Sequence, residues 1–159
     1  MEFLRLRCPG DDPPCKLSGL VSLTAALLDV LDVAEVMVDG FSDCHELPTE
    51  AMAALADLQA IALVEHERQA ESSRWYRWLR RDGPTNMGIT FDPREVGRRI
   101  VEQFGPYSIN TEIRDAEGRL VVDLHDSGSS VWVETFTPEH DRAVAEVLRQ
   151  AEVAFIVRP

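Results

Sequence analysis

Between Leu20 and Leu31 the apolar positions Leu20, Leu23, Leu27, Leu28 and Leu31, with Thr24 among them, recur every three or four residues. That is the period of a helix burying one broad face, and Ser18 is its expected N-cap. Ahead of it, Phe3, Leu4 and Leu6 alternate with charge as a short strand, and the segment Cys8–Cys15 is too rich in Pro and Gly for regular structure. Ala34 to Val38 reads as a buried strand ended by Asp39-Gly40, and the loop Phe41–Pro48 leads to Thr49, the N-cap of a second helix. Met52, Leu55, Leu58, Ile61, Ala62 and Val64 form its stripe. A charged stretch from His66 to Glu71 follows, and the helix extends toward Trp75–Arg81 with a break at Ser72-Ser73. A loop runs from Asp82 to Asp92. Asp92-Pro93-Arg94-Glu95 then has the form of a capping box, Val96, Ile100, Val101 and Phe104 supply the buried stripe, and Gly105-Pro106 ends that helix.

From Tyr107 the period changes from 3.6 to two, which gives three strands, near 107–114, 119–125 and 130–136. A first turn at Asp115–Gly118 sets Ile113 opposite Leu120, Thr111 opposite Val122 and Ile109 opposite Leu124. A second, built on Ser127-Gly128 with or without Asp126 and Ser129, sets Leu124 opposite Val131 and Val122 opposite Val133. Both turns send the aliphatic residues to one face, and a slip by one residue would expose half of them. Thr137-Pro138-Glu139 opens a last helix with the stripe Ala143, Val144, Val147, Leu148 and Ala151. Val153–Val157 is continuously apolar, as in a strand covered on both sides or paired centrally.

The order is β-α-β-α(-α)-β-β-β-α-β. It describes one α+β domain over residues 1–159: a two-layer sandwich with helices on one face of a mixed or mostly antiparallel sheet. With 45% hydrophobic and 28% charged residues, the chain has enough apolar matter for a core, so wholesale disorder is excluded. The net charge of −12 works against phosphate backbones, so no nucleic-acid partner is expected, and it suits a basic protein. Residues 1–65 carry 12 acidic and 3 basic residues, so the first part holds most of the excess. Lys16 is the sole lysine, a codon bias that points to a GC-rich bacterial genome. The first residues lack the apolar core of a signal peptide and no run of 18 apolar residues occurs, which predicts a cytoplasmic chain with no membrane partner. Three cysteines fit free thiols better than a disulfide framework.

The same meander register fills a second sheet face with Ser108, Asn110, Glu112, Val121, Asp123, His125, Ser130, Trp132 and Glu134. Asp123 stands opposite Trp132, and His125 opposite Ser130. A carboxylate near an imidazole is the minimum for acid/base work, which makes Asp123, His125 and Glu134 the catalytic candidates, although a wet sheet face ordinarily carries such residues. Exposed tryptophan anchors interfaces, so Trp132, with Asp123 and His125, is the first binding candidate. The octet Arg74–Arg81 is the second. Trp75 and Trp78 share one helical face and Arg77, Arg80 and Arg81 the other, which suits an amphipathic helix end or an anion site. Cys8, Cys15, Cys44 and His45 offer zinc-type ligands but no C-x2-C spacing, so neither metal nor other cofactor is expected. The loop 83–92 lacks the spacing of a phosphate-binding loop.

These patterns predict a protein-binding module, immunity- or regulator-like, working through its acidic first part or the Trp132 face. The alternative is a small-ligand binder or enzyme using Asp123, His125 and Glu134 with the arginines as anion holders. Homodimerisation through the sheet face is a third possibility.

Overall fold

The structure, a computed structural model, describes residues 3–6, 13–42, 46–72, 87–125, 127–128, 130–151 and 155–158. The elements are β1 (Phe3–Leu6), α1 (Pro13–Val30), β2 (Glu35–Asp39), α2 (Thr49–Ser72), β3 (Ile89–Phe91) and α3 (Val96–Gln103). A 3-10 turn (Gly105–Tyr107) follows, then β4 (Asn110–Arg114), β5 (Leu120–His125), β6 (Ser130–Val133), α4 (Pro138–Gln150) and β7 (Phe155–Arg158). The α+β class stands. The strands form one sheet in the order β3-β2-β4-β5-β6-β1-β7, and every pairing is antiparallel.

One face of this sheet is the core. Val36 and Val38 of β2, Thr111 and Ile113 of β4, Val122 and Leu124 of β5, and Val131 and Val133 of β6 share one parity, and all are buried. They join Leu20, Leu23, Leu27 and Leu31 of α1, Leu58 of α2, Ile100 and Val101 of α3, and Val144 and Leu148 of α4 in a single apolar cluster. Burying each large aliphatic side chain contributes about 1.5–3 kcal/mol, so this one-sided cluster fixes which sheet face is covered.

Several local expectations are corrected. Helix α1 starts at Pro13, five residues before Ser18, because a proline in the first turn lacks only an N–H that no helix partner would accept. Strand β3 lies where the sequence reads as loop; it is a three-residue edge strand, with the Gly88 N–H donating to Asp39 Oδ1 at 2.7 Å. The strand at Phe155–Arg158 is the outermost, paired with β1, and not central. On α2, Ala51, Ala54, Leu58 and Ala62 face the core, whereas Met52 and Val64 point to solvent. The helix is apolar on two sides, and the smaller residues are the ones that let it approach α3.

The capping box does not form. Asp92 Oδ1 accepts the Arg94 N–H at 2.9 Å, the helix begins at Val96, and Glu95 takes a positive φ of 49° with no side-chain cap bond. Gly97 explains the detour, since a Cβ there would stand 1.9 Å from the Asp92 carbonyl oxygen. At the far end of the chain, Thr137 caps α4 as expected, its hydroxyl accepting the His140 N–H at 3.1 Å.

The first hairpin register is shifted by two residues from the expected one. Ile113 pairs with Val122 and Thr111 with Leu124, and an irregularity follows where Arg114 meets Leu120. The cause is Asp115. Its Oδ1 accepts the Glu117 and Arg119 N–H groups, and its Oδ2 accepts the Arg119 guanidinium, so the chain needs a longer loop. The shift of two keeps Val122 and Leu124 on the core face and Asp123 on the other, while the irregularity sets Leu120 opposite Arg114 and brings Val121 into the core cluster. The second register is as expected: Leu124 faces Val131, Val122 faces Val133, and Ser127 and Gly128 both take positive φ at the turn.

Candidate functional site

The other face of the sheet has no helix packed on it among the described residues, and it holds the predicted Trp132 surface. Crossing it from β2 to β6, the register places Met37 beside Glu112, Glu112 beside Asp123, and Asp123 beside Trp132. Arg5 of β1 is the next register position. One row toward the second turn stand Asp39, Asn110, His125 and Ser130. Cross-strand neighbours on one face lie about 4.5–5.5 Å apart at Cβ, so each row is a line of contacts.

Trp132 is 41% exposed although it sits on an interior strand of the sheet. Leu124 and Val131, on the covered face, are buried. The face is not uniformly wet, however. Asp123 Oδ1 has no accessible surface and no hydrogen-bond partner, whereas Val121, expected on this face, is carried by the irregularity beside Leu120 into the core cluster. Burial pushes the Asp123 carboxyl above its ordinary value, the Glu112 carboxylate opposite adds to the rise, and His125 opposes it. Glu112 is itself held by the Arg114 guanidinium.

His125 is exposed, with its Nδ1 3.2 Å from Asn110 Oδ1, so the amide and not Asp123 orients that side of the ring. Glu134 lies just past β6, its N–H donating to the Val121 carbonyl, at the opposite end of β5 from His125. Four residues of strand, about 13 Å, separate those two ends. The structure thus joins Asp123 to Trp132 and does not gather Asp123, His125 and Glu134 around one point. Ser108, expected on this face, is fully buried. Its hydroxyl donates to the Gly105 carbonyl and shares a hydrogen bond with Thr111.

The remaining candidates divide in two. Trp75, Arg77, Trp78, Arg80 and Arg81, with Cys8, Cys44 and His45, lie outside the described residues, and Cys15 falls in the first turn of α1. No group of three or more metal-ligating side chains occurs among the described residues. No described helix is long and apolar enough to cross a membrane.

The acidic first part of the chain is partly neutralised. Asp29 accepts Arg98 at 2.6 Å and Asp57 accepts Arg99, both arginines projecting from α3. A cleft of about 450 Å³ opens between the end of α1 and the start of α3, lined by Leu31, Asp32, Pro93, Glu95 and Arg98 among others. It contains none of the catalytic or binding candidates read from the sequence. No protein-family model, curated protein or solved structure matches the chain.

Proposed function

We propose that this chain is a protein-binding module, immunity- or regulator-like, whose sheet face without a packed helix among the described residues docks a basic protein around Trp132. The observation that carries the reading is a tryptophan left 41% exposed in the sheet interior, next to an acidic row. Large aromatics of this kind supply residence time at an interface, and opposite charge supplies encounter rate. Glu35, Asp39, Glu112, Asp123 and Glu134 lie on or beside this face, against Arg114 among its side chains with described surroundings. A second copy would bring the same acids together, so the charge favours a different, basic chain. The enzymatic alternative draws less support, because His125 is oriented by Asn110 and Glu134 stands far from it along β5.

A photo-reactive amino acid at position 132, expressed in the native host, tests the proposal. The expected result is a covalent adduct with one basic protein that is absent when the probe replaces Glu139 on α4. That protein, purified, should bind this chain at least about tenfold more weakly when Trp132 is alanine. Adducts with this chain alone, or binding indifferent to Trp132→Ala, would overturn the proposal.

A further inference from the structure

We propose that the cleft between the end of α1 and the start of α3 binds a small aliphatic diamine, its ammonium groups set against Asp32 and Glu95 and its methylene chain against the apolar lining. None of the lining residues belongs to the Trp132 face, so this site goes beyond the docking reading and does not depend on it. At about 450 Å³ the cleft has the size of a small-molecule site. Leu28, Leu31, Val33 and Pro93 give it apolar walls, and Asp32, Arg94, Glu95 and Arg98 bring charge to it.

The first support is the balance of that charge. Both arginines are matched by the chain itself: Arg94 reaches Asp92 through Nε and a terminal nitrogen at 2.9 and 2.8 Å, and Arg98 reaches Asp29 and Glu102, each at 2.6 Å. Neither is left over to hold an anion. The acids are not matched in return. Asp32 meets the His140 imidazole at 3.5 Å, and among the described residues nothing bonds to the Glu95 side chain. With the ion-pair partners included and the imidazole neutral, five carboxylates (Asp29, Asp32, Asp92, Glu95 and Glu102) stand against two guanidinium groups, a net charge of −3. A cation is the complement, and the −12 of the whole chain draws it in. Asp32 belongs to the α1 side of the cleft and Glu95 to the α3 side, so two cations joined by a methylene chain fit the pattern of acid, apolar lining and acid.

The second support is strain on one side of the cleft. Glu95 takes φ 49° and ψ −109° in a turn closed by the Gly97 N–H on the Arg94 carbonyl at 2.9 Å. That conformation favours glycine, and a glutamate in it is strained. The approach of Gly97 to Asp92 accounts for the path of the backbone and leaves the choice of side chain unexplained. A strained carboxylate with no bond inside the fold, on the rim of a cleft, is placed for a ligand.

1,6-Diaminohexane is the probe, titrated at physiological salt and followed by NMR. 1,6-Hexanediol keeps the chain without the charge, and magnesium keeps the charge without the chain. Saturable shifts should concentrate on the Leu31 and Val33 methyl groups and the Asp32 and Glu95 carboxyl carbons, with neither control reproducing them. Glu95→Gln should weaken Kd about fivefold to tenfold and Asp32→Asn about threefold to fivefold. Glu67→Gln on α2, the same loss of charge outside the cleft, should weaken it less than about twofold. Glu95→Gly should lose binding as Glu95→Gln does and, by relieving the turn, raise Tm by about 2–4 °C.

Equal losses in Glu95→Gln and Glu67→Gln, or shifts matched by magnesium or by the diol, would overturn the assignment. So would a Glu95→Gly chain with a lowered Tm, since the carboxylate would then serve the fold. Trp132→Ala should leave diamine binding unchanged, which keeps this proposal and the docking face separable.

Discussion

Asp115 and Asp123 sit eight residues apart on the same hairpin, and the fold treats them in opposite ways. Asp115 is 6% exposed and fully engaged: two backbone N–H groups and the Arg119 side chain surround it. Burial alone would raise its pKa, but the hydrogen bonds and charge of Arg119 hold it below the ordinary carboxylate value. Asp123 is partly buried, its Oδ1 has no donor, and its carboxyl is pushed up. A carboxylate with its partners present shapes the chain, here by setting the length of a turn. One without them weakens the fold.

The largest effect should come from breaking the satisfied member of the pair. Asp115→Ala strands two N–H groups and the Arg119 charge, and should cost about 3 kcal/mol in denaturant unfolding. A loss under about 1 kcal/mol would mean that the turn holds itself together without this side chain.

An acid titration of stability sharpens the contrast. The folded pKa of Asp115 lies below 3.8, so its stabilisation is complete above that pH and is lost as pH falls through the folded value. The folded pKa of Asp123 lies above 3.8, so the native state takes up a proton first and gains stability as pH falls from that raised value toward 3.8. Asp115→Asn should flatten the stability curve below 3.8, and Asp123→Asn should flatten it just above. Curves parallel to wild type in both windows would refute the opposite assignments.

At neutral pH, Asp123→Asn removes the buried charge at constant shape and should raise Tm by about 2–4 °C. A fall in Tm would show that the carboxylate has an internal partner. The smallest effect belongs to Trp132→Ala, which should change stability by less than about 1 kcal/mol because the side chain is substantially exposed. A loss of 3 kcal/mol or more, measured by urea unfolding, would make Trp132 a core residue and end its candidacy as an anchor.

Much of this site was legible before any coordinates, and for a physical reason. Side-chain parity in a meander depends only on whether each turn is even or odd, so Trp132 opposite Asp123 follows from the four residues between His125 and Ser130. The two-residue shift at Asp115 was not legible, because it depends on one side chain wrapping the turn. Parity survived it from Val122 onward and broke at Leu120 and Val121. Alternation also says nothing about what lies over a face or where a strand turns irregular, so the burial of Ser108, the passage of Val121 into the core and the unpartnered Oδ1 of Asp123 emerge only in three dimensions. The Asp92 box misled because local capping chemistry was overridden by the approach of Gly97 to the Asp92 carbonyl. Strand β3 was missed because three residues are too few to show a period.

Strand β1 has a bearing on how the molecule is made. Its neighbours in the sheet are β6 and β7, so Leu6 pairs with Val131 and Phe155, more than a hundred residues further along the chain. On a ribosome adding 5–20 residues per second, Phe3–Leu6 would wait roughly 6–25 seconds for β6 to be synthesised. During that interval its hydrogen-bonding edge is open to other chains, and closure of the sheet waits on a large loop being brought together.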